Sequence, residues 1–209
     1  MTAFTAAAAD LAGPPWLAAR RADAVAALAG AAWPSEAEEI WRYSGIDRFD
    51  LDRYRPVAAG DVDAAGWAAA EQAAAPFGPV SALVVTAGGV VAGVHGGAAG
   101  LRVGSGRDVV DGAAIGLGAV ARPRDAFGQL HDAFLADVVA VEVARSAVIA
   151  DPVVVVHLVA GQPGGVGGDP AQFPRTVVRL ERAAEATVIE LLVTPGDRPA
   201  DGLVVRGAW

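Results

Sequence analysis

The chain lacks cysteine, lysine and asparagine altogether. Without cysteine it can form no disulfide and no thiolate nucleophile, and it cannot hold zinc or an iron–sulfur cluster through sulfur. Without lysine it has neither the phosphate-binding lysine of a P-loop nor a Schiff-base lysine. Without asparagine it has no acceptor for N-glycosylation. Several large classes of enzyme are therefore excluded before any motif is considered.

Positive charge is also scarce in this chain. Its 16 basic residues, all of them arginine, face 24 acidic residues, and the net charge is -8. Nucleic acid and anionic membranes both require a basic surface, so we expect neither as a partner. No basic residue precedes Arg20, and Glu142, Arg145 and Asp151 interrupt the most hydrophobic stretch. The sequence therefore predicts a soluble, cytoplasmic protein without a signal peptide or a membrane span.

The 209 residues divide into a mainly helical part, residues 1–136, and a valine-rich β part, residues 137–209. The first part predicts helices over residues 16–32, 61–75 and 124–136, of which the first follows a proline pair and the last is capped by Asp125. Two β-prone runs around Ala87-Gly88-Gly89 predict a hairpin over residues 82–95, and residues 101–103 predict a third short strand.

The second part predicts short strands separated by proline, glycine and charged turns, at residues 138–143, 153–159, 176–180, 187–193 and 203–205. Residues 161–169 (GQPGGVGGD) are expected to form a surface loop. Short strands in this order are typical of a β-sandwich, a barrel or the start of a β-solenoid, and their periodicity does not choose among the three.

Residues 34–55 (PSEAEEIWRYSGIDRFDLDRYR) form the most distinctive segment of the chain. Ser35 and Glu38 match a capping box, which predicts a short helix through Ile40 and Trp41 to Tyr43. The residues that follow, 48–56, alternate in polarity and are expected to run extended.

The same segment resembles the SufB/SufD family, and SufD more closely than SufB. The resemblance rests on the acidic helix start, the block Glu39-Ile40-Trp41-Arg42-Tyr43 and the tail of alternating hydrophobic and aspartate residues. The hairpin, residues 173–180 and residues 188–190 agree with that family in order, although its usual Asn-Gly hairpin turn is absent. The resemblance covers most of the chain, as the N-terminal half of such a protein.

This resemblance implies an α+β fold in which an N-terminal helical domain with a small β-hairpin insert leads into the first rungs of a right-handed parallel β-helix. It also implies a non-catalytic scaffold role in iron–sulfur cluster assembly, with SufB-like and SufC-like proteins as partners. No cofactor is expected in this chain, and a cluster would belong to the assembled complex. The family's proposed cluster ligands and SufC-binding helices lie further toward the C-terminus, so no residue here receives those roles.

Individual residues suggest no catalytic or metal site. His95, His131 and His157 come from a hairpin, a helix and a strand and share no short spacing, so we expect none to bind metal. The chain has no Gly-x-Ser-x-Gly nucleophile motif. The block Trp41-Arg42-Tyr43 is expected to be structural, with Trp41 and Ile40 in a small core and Arg42 paired with a nearby aspartate.

Two other functions remain open on the sequence alone. The chain could be a small α+β module that binds a ligand or a protein and is unrelated to cluster assembly. Its 24 acidic residues also leave room for a hydrolase with paired carboxylates. If the β-helix prediction holds, the strand at residues 203–205 leaves open edges, which predict self-association.

Overall fold

The computed structural model describes residues 3–57, 61–109, 111–120, 122–159, 168–196 and 202–206. Over these ranges the chain forms three α-helices and ten β-strands, and the strands build three sheets. The structure therefore belongs to the mixed α+β class that the sequence predicts. Among the helices in these ranges, none has both the length and the apolar character needed to cross a membrane.

The three helices lie where the sequence predicts them. They are α1 (Pro15–Leu28), α2 (Ala64–Ala74) and α3 (Ala126–Ala133). Pro15 occupies the first turn of α1, where its missing N–H costs nothing. The carboxylates of Asp63 and Asp125 cap α2 and α3, because each accepts a hydrogen bond from a backbone N–H in the first turn. Helix α1 packs against α3.

The strands follow the predicted order with two additions, at residues 54–56 and 169–172. They are β1 (Tyr54–Pro56), β2 (Ala82–Ala87), β3 (Val90–Gly96), β4 (Leu101–Ser105), β5 (Val139–Val143), β6 (Val153–Leu158), β7 (Asp169–Gln172), β8 (Thr176–Leu180), β9 (Val188–Val193) and β10 (Leu203–Val204). The prediction that residues 48–56 run extended is correct only for β1, because Leu51–Arg53 forms a 3-10 turn in which the Asp50 carboxylate accepts from the Asp52 N–H. The sequence analysis does not predict β7, which begins at the end of the expected glycine-rich loop. Of the loop expected at residues 161–169, residues 161–167 lie outside the described residues, and Asp169 begins β7.

Strands β2 and β3 form the predicted hairpin. The turn places Gly88 at φ 57° and Gly89 at φ 78°. Positive φ at both central positions is the requirement of a type I′ turn, which glycine meets without strain. The Gly-Gly pair therefore performs the task that an Asn-Gly pair performs in other hairpins.

After α3, the strands β5, β6 and β7 belong to three different sheets, and β8, β9 and β10 join the same three sheets in the same order. Strand β5 pairs in parallel with β8, β6 with β9, and β7 with β10. The earlier strands extend the same sheets, because β2 is parallel to β6, β1 is parallel to β7, and β4 is antiparallel to β5. Each sheet thus joins strands from both parts of the sequence.

The central sheet, ordered β3-β2-β6-β9, is covered on both faces. One face packs Val84 and Val155 against Val141 of the neighbouring sheet, and the other packs Leu83 and its neighbours beneath α2. Residues 153–156 of β6 are consequently all buried. A strand covered on both faces is expected to be a continuous hydrophobic run, and β6 has that composition.

A buried carboxylate fastens the start of β5 to two neighbouring strands. Asp137 accepts hydrogen bonds from the backbone N–H of Val91, Arg107 and Val138 at 3.1, 3.2 and 2.7 Å. It also accepts from the Ser105 hydroxyl at 2.7 Å. Burial nevertheless raises the pKa of Asp137 above its usual value, despite these four donors.

The helix predicted from Ser35 to Tyr43 is wrong. Residues 36–45 form successive turns, in which the backbone N–H of Trp41 donates to Glu38 and that of Ser44 donates to Trp41. The Ser35 N–H does bond to the Glu38 carboxylate at 3.2 Å, so one hydrogen bond of the capping box is present. A short helix needs an apolar face packed on a core, and this segment supplies little of one.

Candidate functional site

An apolar cleft of about 350 Å³ lies between the turn segment at residues 41–49, the start of α3 and the end of β10. Aromatic rings form much of its wall, because Trp41 and Phe49 pack on Phe127 with ring centroids 5.9 and 5.2 Å apart. The turn segment is therefore held by ring contacts with α3 rather than by helical hydrogen bonds. Polar groups at the cleft come from Asp125, His131, Arg175 and Arg206.

The sequence-predicted block Trp41-Arg42-Tyr43 contributes only one residue to this cleft. Trp41 is half-buried on Phe127, in agreement with a packing role. Ile40 is 82% exposed and Tyr43 is 93% exposed, so the prediction that Ile40 fills a core is wrong. Arg42 pairs at 2.8 Å with Glu39 on the surface rather than with an aspartate. The exposure of Ile40 and Tyr43 follows from the turns at residues 36–45, because without a regular helix their side chains do not share one face with Trp41.

A buried ionic network adjoins the cleft. Asp132 on α3 is bridged by Arg20 of α1 at 2.5 Å and by Arg175, just before β8, at 3.1 Å. His131 donates from Nε2 to the Pro174 carbonyl at 3.0 Å, while its Nδ1 lies 3.3 Å from Arg175 Nη2. Three elements that are distant in sequence are thereby joined through one carboxylate.

The charges of this network stabilise the ionised carboxylate. Burial by itself would raise the pKa of Asp132, but the hydrogen bond with His131 and the charges of Arg20 and Arg175 outweigh it and hold the pKa below its usual value. Asp132 is therefore an anion over the whole physiological range. One carboxylate thus pairs with two guanidinium groups, and Asp125 adds a second carboxylate to the cleft lining.

A second polar network lies inside the stacked sheets. His157 on β6 contacts the Thr86 hydroxyl at 2.8 Å through Nδ1 and the Glu190 carboxylate at 3.1 Å through Nε2. Glu190 also accepts hydrogen bonds from Thr176 Oγ1 and from Arg206. Burial opposes ionisation of Glu190, yet the hydrogen bonds from His157 and Thr176 and the charge of Arg206 lower its pKa to about 2.

The chain of hydroxyl, imidazole and carboxylate in this network has the connectivity of a nucleophilic triad. Its hydroxyl is enclosed, however, because Thr86 and His157 are each only 2% exposed. The geometry favours a structural role, in which the network ties the three sheets together across their common interior.

The three histidines lie in separate environments. His95 stacks on Trp67 with ring centroids 4.1 Å apart, while His131 and His157 belong to the two networks described above. Within the part of the chain that the structure describes, no group of three potential metal ligands comes together.

Sequence reasoning missed the residues that carry both networks, chiefly Asp132, Arg175, Glu190 and Arg206. One usable signal was the dipeptide His131-Asp132, which stands between Leu130 and Phe134 on the apolar face of a predicted helix. A buried charge needs a partner, so two buried polar residues there imply arginines from other elements. Which arginines supply the charge depends on the tertiary fold.

No family model and no curated protein matches this chain. The resemblance to the SufB/SufD family therefore stays a prediction, and the strand pairing and the two networks have to support any function by themselves.

Proposed function

We propose that this chain is a SufD-like, non-catalytic scaffold of iron–sulfur cluster assembly, built on a right-handed parallel β-helix. The observation that carries this proposal is the repeated parallel pairing of β5 with β8, β6 with β9 and β7 with β10. A chain that returns to the same three sheets in the same order, after a repeat of roughly 35 residues, has the connectivity of β-helix coils. That connectivity supports the fold which the family resemblance implies.

Strands β8, β9 and β10, the second coil of this proposed β-helix, support a role in binding another protein. Over the described residues, β8, β9 and β10 are each paired along one edge only. Val178, Leu180 and Leu192 lie in register with Val141, Val143 and His157 of the preceding strands, and Leu192 is 51% exposed within the described part of the chain. Open strand edges beside apolar side chains are suited to strand addition by a partner chain. SufB-like and SufC-like proteins are the partners that the resemblance implies.

Size-exclusion chromatography with light scattering tests this role. The purified chain should form a stable complex with SufB-like and SufC-like proteins from the same source. Leu192→Asp should weaken that complex at least tenfold, because it places a charge on the docking edge. Val120→Asp is the matched control, since Val120 is also exposed but does not lie on β8, β9 or β10. Separate elution of all components at tens of micromolar would contradict the proposal.

The same edge predicts self-association of the chain alone. The weight-average mass should rise with concentration, and Leu192→Asp should hold it at the monomer value of 21.0 kDa. A monodisperse monomer at high concentration would count against an open β-helix end.

A small binding module is the second candidate, and the aromatic cleft favours it. Pockets of this size with apolar walls and few polar groups are typical of small-molecule sites. A ligand that occupied the cleft would raise the melting temperature of the chain in proportion to its saturation.

A further inference from the structure

A second cavity, of about 530 Å³, adjoins the aromatic cleft and shares Ile46, Phe49 and Phe127 with it. The rest of its lining comes from the N-terminal segment, the end of α1 and the residues on either side of the turn segment. Asp47 and Asp52 are the charged residues of this lining, and we call the space the acidic cavity. It differs in charge from the aromatic cleft, whose lining includes two arginines.

Three aromatic rings from distant parts of the sequence form the wall of the acidic cavity. Trp33, which follows α1, meets Phe127 of α3 edge to face, with ring centroids 5.2 Å apart and ring planes at 83°. Phe49 meets the same Phe127 ring at 5.2 Å and 62°. Trp33 is still 43% exposed, so its ring keeps surface for a ligand. Rings set at steep angles to one another are the usual enclosure for an ammonium group, which the negative ring faces attract.

The carboxylates of the lining supply the opposite charge for such a cation. Asp47 is exposed, and one of its oxygens accepts a hydrogen bond from the Glu36 N–H at 2.9 Å. Among the described residues no arginine pairs with Asp47, so its second oxygen is available to a ligand. Asp52 adds a second carboxylate to the same lining. The acidic cavity therefore combines ring surface with accessible negative charge.

The arginines closest in sequence to these carboxylates do not line the acidic cavity. Arg53 pairs with Asp169 at 2.8 Å, and its guanidinium carbon lies 5.8 Å from the centre of the Tyr54 ring. Arg48 is exposed. An anion would meet no basic side chain in the described lining, whereas a cation meets two carboxylates. The net charge of -8 also favours the approach of cations over anions.

The aromatic walls favour an organic cation over a metal ion. Hard metal ions require several oxygen ligands that converge on one point, and the described part of the chain brings no three potential ligands together. A metal ion would also leave the ring surfaces uncovered. An alkylated ammonium ion covers them with its carbon atoms and spreads its charge over the same surface.

We propose that the acidic cavity binds a small organic ammonium ion, with its carbon atoms against the rings of Trp33, Phe49 and Phe127 and its charge beside Asp47. The inference rests on the second candidate function, a small binding module, and adds a ligand class to it. It is independent of the scaffold role, because that role depends on the edges of β8, β9 and β10.

Isothermal titration calorimetry on the full chain tests the inference with two probes of the same shape. Choline carries the quaternary ammonium group, and 3,3-dimethylbutan-1-ol has a neutral carbon in place of the nitrogen. Choline should bind at one site, and the neutral alcohol should bind about tenfold more weakly or worse, because it loses the attraction to the rings and to the carboxylates. Equal affinity for the two probes would overturn the ammonium assignment while leaving a binding module intact. Absence of choline binding at millimolar concentration would overturn the inference as a whole.

A pair of charge-removing variants locates the site. Asp47→Asn keeps an oxygen for the Glu36 N–H and should weaken choline about fivefold, without affecting the neutral alcohol. Asp50→Asn is the matched control, because Asp50 is also exposed and also accepts from a backbone N–H, that of Asp52, but does not line the acidic cavity. It should leave the affinity for choline nearly unchanged, since solvent screens charges outside the site. An equal effect of the two variants would contradict the location.

A third variant tests the role of the rings. Trp33→Leu keeps an apolar side chain but removes one aromatic face, so it should weaken choline more than it weakens the neutral alcohol. An equal loss for both probes would refute the cation–ring attraction. Melting temperatures confirm that each variant is folded, and complex formation with SufB-like and SufC-like proteins is measured separately, so either proposal can fail alone.

Discussion

Replacement of Glu190 by glutamine tests the polar network in the interior of the stacked sheets. Glu190 accepts hydrogen bonds from His157, Thr176 and Arg206, which come from three different sheets or their ends. Glutamine keeps the size of the side chain but removes the negative charge. It also turns one oxygen into an N–H₂ donor, which then faces groups that are donors themselves.

The size of the effect follows from the pKa of Glu190, which falls from 4.5 to about 2 on folding. Each pKa unit corresponds to about 1.4 kcal/mol, so the network stabilises the folded state by on the order of 3 kcal/mol at neutral pH. The side chain is 24% exposed, and solvent screening reduces this value to about 2 kcal/mol. Because the folded pKa is lower than the unfolded one, the stabilisation is complete above the unfolded value and is lost as the pH falls toward the folded one.

Urea unfolding at neutral pH, pH 4 and pH 3 measures this stabilisation directly. At neutral pH the Glu190→Gln variant should be less stable than the unmodified chain by about 2 kcal/mol, and the difference should shrink to about half at pH 3. Glu71→Gln is the control, since Glu71 is exposed on α2 and its replacement should change stability by less than about 0.5 kcal/mol. A difference that stays constant with pH would refute the electrostatic reasoning, and no difference at neutral pH would refute the network itself.

Two further substitutions test other parts of the structure. Asp132→Asn removes the carboxylate between two buried guanidinium groups and should cost about 3 kcal/mol in urea unfolding, whereas the exposed control Asp23→Asn should cost almost nothing. Equal stability of these two variants would show that the buried network contributes little. Gly89→Val places a β-branched residue at φ 78° and should lower the melting temperature by several degrees, since left-handed backbone costs about 1–2 kcal/mol. Gly97→Val, at an exposed position with open space around it, should be tolerated, and a similar loss there would contradict the turn argument.

The elements that the sequence predicted correctly are those with strong local signals. Asp125 before an apolar 3.6-residue pattern predicted α3, and Gly88-Gly89 between two valine-rich runs predicted the hairpin. The failures lie where tertiary contacts decide. Strand β7 forms despite Pro170 because it lies between β1 and β10, and residues 36–45 form turns although Ser35 and Glu38 match a helix cap.

The candidate site was harder to predict than the fold, because its groups meet only through long-range packing. Arg20, Asp132 and Arg175 come from α1, α3 and the start of β8, and no spacing in the sequence relates them. Trp41 was singled out correctly as a packing residue, yet its partner Phe127 lies on α3. Local pattern reasoning finds the individual charged residues, but pairing them requires knowledge of which elements lie side by side.

Strands β8, β9 and β10 bring a paired carboxylate, on Glu190, close to a half-exposed apolar side chain, on Leu192. The Glu190 carboxylate is satisfied by Arg206, Thr176 and His157, so a partner that docked at the proposed edge would bury no unpaired charge at Glu190. Leu192 stands two residues further along the same face and remains half exposed. Burial of an unpaired carboxylate would oppose docking, whereas burial of a leucine favours it. For the proposed docking, the polar network removes an electrostatic cost while Leu192 supplies apolar contact, so Glu190→Gln should weaken partner binding less than Leu192→Asp does.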